Sequence, residues 1–208
     1  EMVDMTKNTT EKKLTQSDIR GVFIRSNLFQ GSWNFERMQA LGFCFSMVPA
    51  IRRLYPENND ARKQAIKRHL EFFNTHPYVA APVLGVTLAM EEQRANGAEI
   101  DDGAINGIKV GLMGPLAGIG DTINHGMLRP LLLSMFIPLA AEGNWLAGVG
   151  PLLIWGVAIT FLAYTLVTKG YTLGRKSVVS ILKSGKLNQF IKTASVLGLF
   201  MMGALSST

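Results

Sequence analysis

Residues 145–168 read WLAGVGPLLIWGVAITFLAYTLVT. These 24 residues hold eleven Leu, Ile, Val or Phe and no Asp, Glu, Lys or Arg. As a helix rising about 1.5 Å per residue they reach about 36 Å, and the hydrocarbon core of a bilayer is about 30 Å thick. Their apolar side chains favour insertion by about 3–7 kcal/mol, before any discount for positions near the ends. Pro151 falls in the early turns, where a missing N–H costs least. Length and composition predict a spanning helix, and with it an all-α integral membrane protein.

The flanks carry opposite signals. After Thr168 come Lys169, Arg175, Lys176, Lys183, Lys186 and Lys192, with no acid among them. That bias predicts a cytoplasmic loop over 169–192, and it puts the turn at Glu142-Gly143-Asn144 on the outer side. Residues 193–205 begin another apolar helix, too short to span, so the chain is expected to continue beyond Thr208. Residues 127–141 are mostly apolar, and 127–208 as a whole read as transmembrane helices, incomplete at the end. Between residues 126 and 168 only Arg129 and Glu142 are charged. Across the chain 17% of residues are charged, against about 25% for soluble domains.

The net charge of +6 fits nucleic acid, anionic lipid or a cytoplasmic loop bias. No RNA-binding aromatic motif or zinc spacing accompanies it, so nucleic acid is not an expected partner. Membrane lipid is. Cys44 is the single cysteine, which excludes an intrachain disulfide. The first fourteen residues are polar, and no cleavable signal peptide is expected.

Upstream, residues 1–14 read as a disordered tail and 15–76 as cytosolic or interfacial amphipathic helices. Thr15-Gln16-Ser17-Asp18 resembles a capping box and opens a helix through about Phe29. A second helix is expected from about Trp33 to Leu54, with Met38, Leu41, Phe45 and Val48 as its apolar stripe and Pro49 kinking or ending it. A third starts after Asn58-Asn59-Asp60, with Ile66, Leu70 and Phe73 on one face. Periodicity alone leaves two arrangements open: a small bundle, or helices lying on the cytoplasmic leaflet. The apolar segments downstream favour the leaflet.

Residues 77–126 read as a re-entrant, broken-helix segment. Residues 78–90 are apolar but too short to cross. Asn96-Gly97 resembles a helix C-cap, and Asp101-Asp102 caps the next helix. Residues 111–126 read GLMGPLAGIGDTINHG. Gly114, Pro115, Gly118 and Gly120 mark a backbone break, which a membrane tolerates where protein or a cavity surrounds it.

No catalytic set is legible. His69, His76 and His125 are far apart, and none is followed by a ligand partner at three or four residues. HExxH and CxxC are absent. Gly118-x-Gly120-Asp121 lacks the strand and third glycine of a dinucleotide fingerprint, and the P-loop lysine is missing. No metal or cofactor is expected. What stands out is polarity beside apolar, glycine-broken sequence: Asn106, Lys109, Asp121, Asn124, His125 and Arg129. Ionisable groups in such places face a partner or a pathway. Half-helix ends add free backbone donors and acceptors, a mixture a sugar needs. Asp121 and Arg129 also suit a mutual ion pair, or one with a neighbouring subunit.

Three runs carry a resemblance: residues 26–39 (SNLFQGSWNFERMQ), 99–103 (EIDDG) and 106–118 (NGIKVGLMGPLAG). They resemble enzyme IID of the mannose-class sugar phosphotransferase system, closely over residues 11–121. Beyond that, Gly120, Asp121, Gly126, Arg129 and Pro130 fit the family pattern. His125 stands where Trp is usual, Met127 where Thr is, and Asn124 where an aromatic or apolar residue is. The resemblance implies a bacterial inner-membrane transport subunit, with a cytoplasmic N-terminus, that forms a hexose carrier with an obligate IIC subunit. It implies that a cytosolic IIB (IIAB) subunit phosphorylates the entering sugar. IID itself then carries no phosphorylated residue and is not an enzyme on its own. IIC–IID pairs are expected to form a higher oligomer. A scaffold that stabilises IIC without touching sugar is the alternative.

Overall fold

The structure, a computed structural model, describes residues 11–183, and these are helical apart from turns and isolated β-bridges at Met38. Helix α1 (Gln16–Ser26) opens on the expected capping box. The Asp18 N–H donates to Thr15 Oγ1 at 3.3 Å, and the Thr15 N–H to Asp18 Oδ2 at 2.8 Å. Just before it, the Lys12 N–H donates to Asn96 and the Leu14 N–H to Glu92. Residues 11–14 of the expected disordered tail are therefore held in place, and 1–10 lie outside the described residues.

Helix α2 (Ala40–Leu54) is shorter than expected and runs through Pro49. The stretch before it turns instead, with Met38 at φ 53° and bridged to Asn34 and Phe73. The expected stripe is on the wrong face. Phe43, Met47, Ile51 and Leu54 are fully buried, while Leu41 and Phe45 are exposed. Phe43 sets this register, because it packs between Phe29 and Phe73 at centroid distances of 5.9 and 4.8 Å. Helix α3 (Asp60–His69) begins on its expected cap, Asn59. Helix α4 (Ala81–Ala95) ends at Asn96, with Gly97 at φ 92° as the left-handed residue.

These helices share one core. Ile19, Val22, Phe43, Met47, Phe73 and Leu84 pack together with Ala163, Val167 and Tyr171 of the long C-terminal helix. The N-terminal helices therefore pack on one another and on the long C-terminal helix.

Helix α5 (Asp102–Gly120) starts on Asp101, which accepts the Ala104 N–H. It continues through Gly114-Pro115, where a break is expected from sequence. The departure from α geometry comes nearly two turns later, as a π-helical turn over Asp121–Leu128. There the Arg129 N–H donates to the Asn124 carbonyl, five residues back. Helices α6 (Arg129–Met135) and α7 (Ile137–Ala141) follow, and Gly143 at φ 73° makes the expected turn. At seven and five residues, α6 and α7 are too short to span on their own.

Helix α8 (Leu146–Lys183) is 38 residues long. Its stretch Leu146–Gly174, whose most apolar 18 residues have a mean hydropathy of 2.0, is long and apolar enough to cross a membrane, and it is the one such stretch among the described residues. The expected loop at 169–192 is thus helix as far as Lys183. Residues 184–192 and the expected apolar helix 193–205 lie outside the described residues. The helix persists because tertiary packing holds it. A Cβ on Gly170 would stand 2.7 Å from the Pro82 carbonyl oxygen, and one on Gly85 2.3 Å from that of Val167. Only glycine permits so close an approach of α4 and α8, the small-residue device of membrane helix pairs. Tyr171 adds a hydrogen bond to Glu92 at 2.5 Å. Outward, Leu152, Leu153, Val157 and Phe161 are all more than 60% exposed, the apolar face that a bilayer or a partner helix covers.

Candidate functional site

The six polar residues singled out in the sequence fall into two groups. At about 1.5 Å per residue, Lys109 and Asn124 lie roughly 22 Å apart along the helical path.

The first group belongs to a closed network where α3, α4 and α5 meet. Glu91 is fully buried and takes four donors: Arg68 Nε at 2.6 Å, His69 Nε2 at 2.9 Å, Tyr55 Oη at 2.9 Å and Arg68 Nη2 at 3.2 Å. Arg68 also pairs with Asp102 at 2.8 Å, and Arg94 bonds the same carboxylate. Burial would raise the Glu91 carboxyl, but His69 and Arg68 outweigh it and hold it at about 2. Burial pushes the His69 imidazole below its ordinary value, against its bond to Glu91. The neutral ring therefore keeps its proton on Nε2, and its buried, unpartnered Nδ1 is a bare lone pair. Lys109 is 1% exposed; its ammonium donates to the Arg68 carbonyl at 3.2 Å and sits 4.8 Å above the Phe43 ring. Asn106 bonds Glu71. These groups are occupied with one another.

The second group surrounds the π-helical turn. Asn124 is buried and joins three elements. Its Oδ1 accepts Trp155 Nε1–H of α8 at 2.7 Å, and its Nδ2 stands 3.1 Å from His76 Nε2, in the connection before α4. His76 packs against Tyr78 at 5.7 Å and His125 at 5.5 Å, and Tyr78 meets Trp155 edge-on at 5.2 Å. Arg129 lies 4.5 Å over the Trp155 ring and donates to His125 Nδ1 at 3.3 Å. Asp121 is exposed, and no ion pair joins it to Arg129 among the described residues. One ring nitrogen of each histidine and an Asp121 oxygen lie within 4.8 Å of one another. Gly120 makes the approach possible, because a Cβ there would stand 2.4 Å from the His76 ring. Gly118 is buried one turn before, and its carbonyl accepts Thr122 Oγ1 at 2.7 Å. Gly114 has open space around it.

The structure thus unites Asp121, Asn124, His125 and Arg129, leaves Asn106 and Lys109 apart, and adds His76, Tyr78 and Trp155. The additions carry no local signal, since His76 and Trp155 are 48 and 31 residues from Asn124. Asp121 and His125 did carry one, a four-residue spacing visible only when read backward from the histidine. The assembled surface offers two imidazoles, a carboxylate, a guanidinium and two aromatic faces beside an apolar helix.

Comparison with known proteins identifies the family. Residues 13–208 match the family model of the IID component of the mannose/fructose/sorbose phosphotransferase family, well past residue 121, where the motif resemblance loosens. The mannose-specific EIID component of Escherichia coli K12 is 67% identical over 209 residues, covering 98% of this chain and 72% of that protein. The sorbose-specific EIID component of Klebsiella pneumoniae is 54% identical, covering 94% and 70%. Among solved structures, the cryo-EM complex of the mannose transporter ManYZ with microcin E492 superposes with a TM-score of 0.88 at 66% identity, covering 94% of this chain and 71% of that one. The chain belongs to the IID component family of the mannose-class phosphotransferase systems, membrane subunits of bacterial sugar transport.

Proposed function

We propose that this subunit binds and gates a hexose of the mannose and glucose class together with a IIC subunit, while a cytosolic IIB protein phosphorylates the sugar as it enters. The observation that carries this reading is the cluster around Asn124. It places aromatic faces, fixed donors and a free carboxylate on a π-helical turn against the single long apolar helix among the described residues. π-Turns of this kind recur at functional sites. The mannose-specific relative supports the sugar class. Asn106 and Lys109, bonded inside the protein, serve the fold rather than the pathway.

The rival reading is a scaffold for IIC that touches no sugar. Trp155→Ala separates the two. It is expected to weaken mannose binding to the purified IIC–IID complex tenfold or more, with the complex still assembled. Unchanged affinity would favour the scaffold.

Orientation follows from the basic residues after Thr168. The N-terminal bundle and the Arg68–Glu91 network then lie on the cytoplasmic side, and Gly143 outside. A cysteine introduced at Asn144, in a background lacking Cys44, is expected to react with an impermeant reagent on intact cells. Protection at Asn144 with labelling at Lys183 would reverse the assignment.

A further inference from the structure

The hydrogen bonds around Asn124 fix more than position. An indole N–H only donates, so Asn124 Oδ1 must be the acceptor facing Trp155 and Nδ2 the donor facing His76. His76 Nε2 then accepts, and the neutral ring carries its proton on Nδ1. Burial favours that neutral form, against the opposing charge of Asp121. His76 is 3% exposed, and its Nδ1 has no partner in the protein. A buried N–H without an acceptor is destabilising, so this one calls for a partner. The same logic applies beside it. Arg129 donates to His125 Nδ1, which leaves Nε2 of the neutral ring as an N–H. Each neutral imidazole therefore carries its N–H on the nitrogen not engaged by Asn124 or Arg129, Nδ1 of His76 and Nε2 of His125.

We propose that Trp155 and Asn124 hold the His76 ring with its proton on Nδ1, so that His76 as donor and Asp121 as acceptor together bind one hydroxyl of the transported sugar. The sugar half of this statement rests on the function proposed above. Two partners of a single hydroxyl oxygen, each at about 2.8 Å, stand roughly 4.5–5 Å apart. One His76 ring nitrogen lies within 4.8 Å of an Asp121 oxygen, and Nδ1 is on the side of Gly120, the residue before Asp121, where an added Cβ would stand 2.9 Å from it. Asp121 is exposed and has no ion pair among the described residues, so its carboxylate is open to a ligand. An N–H on one side and a carboxylate on the other read a hydroxyl in both its roles. A deoxy sugar leaves both partners bare.

The test uses the full-length chain in complex with IIC. Nitrogen-15 spectra of the labelled histidines, without sugar, are expected to show His76 protonated on Nδ1. In Trp155→Phe the ring should shift toward the Nε2–H form that an unconstrained histidine side chain prefers. Mannose titrations supply the second readout. Asn places an amide N–H where Nδ1 stands, and Gln places it where Nε2 stands. His76→Asn is therefore expected to keep affinity within about threefold, while His76→Gln and Asp121→Asn each lose about tenfold. An Nε2–H ring in the unaltered protein overturns the proposal, whatever the sugar does. So does equal loss in His76→Asn and His76→Gln. If the unaltered complex binds no mannose, the sugar reading fails and takes the hydroxyl assignment with it, while the ring protonation is judged on the spectra alone.

Discussion

Glu91 shows how much a single residue holds here. It is a carboxylate with no exposed surface, and it is tolerable because one guanidinium, one imidazole and one phenol all donate to it. Glu91→Gln leaves the buried Arg68 with only the half-exposed Asp102 carboxylate, which Arg94 shares, to offset its charge. The expected cost is about 3–5 kcal/mol, read as a lower melting temperature of the purified complex. An unchanged melting temperature would show that the network is not structural. The same residues set a pH dependence. Both His69 and Glu91 bind a proton more readily in the unfolded chain than in the folded one. Stability is therefore complete at neutral pH. It declines as pH falls below the ordinary histidine value of 6.5, and again as pH falls from 4.5 toward about 2. Melting at about pH 5 should lie below that at about pH 7.5. Of this network, sequence reading picked out only Lys109 and Asn106, and gave them a pathway role. Their polarity is visible in the sequence, but their partners come from elsewhere in the chain: Arg68 on α3, Glu71 just after it and the Phe43 ring on α2.

At the scale of elements, the glycine-rich stretch 111–126 was the most informative segment, and the least accurately placed. Gly-Pro in an apolar run signals irregular backbone, and irregular backbone is present. It lies at Asp121–Leu128, not at Gly114-Pro115. What decides this is contact: Gly120 is pressed against His76 and Gly114 against nothing. Gly120→Ala is expected to cost more than Gly114→Ala in both stability and sugar uptake. The latter should be neutral or gain up to about 1 kcal/mol, as alanine replaces glycine in a helix. Equal tolerance of the two would contradict the close approach at His76. Helix caps, by contrast, were legible outright at Thr15, Asn59, Asp101 and Asn96-Gly97, because a cap is a local hydrogen bond written in local residues. The buried face of α2 was not. Phe43 and Leu41 are equally apolar, and only Phe29 and Phe73, distant in sequence, choose between them.

For the whole molecule, one long apolar helix sits against a bundle whose core it completes. The class and the span were read from 145–168 alone, since length against bilayer thickness is a property of the segment itself. Its extension to Lys183 was not, because charge patterning reports sidedness and not where a helix ends. The one span among the described residues cannot by itself enclose a sugar pathway, and the outer face of α8, with Leu152, Leu153, Val157 and Phe161 exposed, calls for covering. Sugar binding should therefore require the IIC subunit. Mannose titrated calorimetrically into the full-length chain, alone and in complex with IIC, measures this directly. Binding is expected only in the complex; binding of similar strength by the isolated chain would contradict the half-carrier reading.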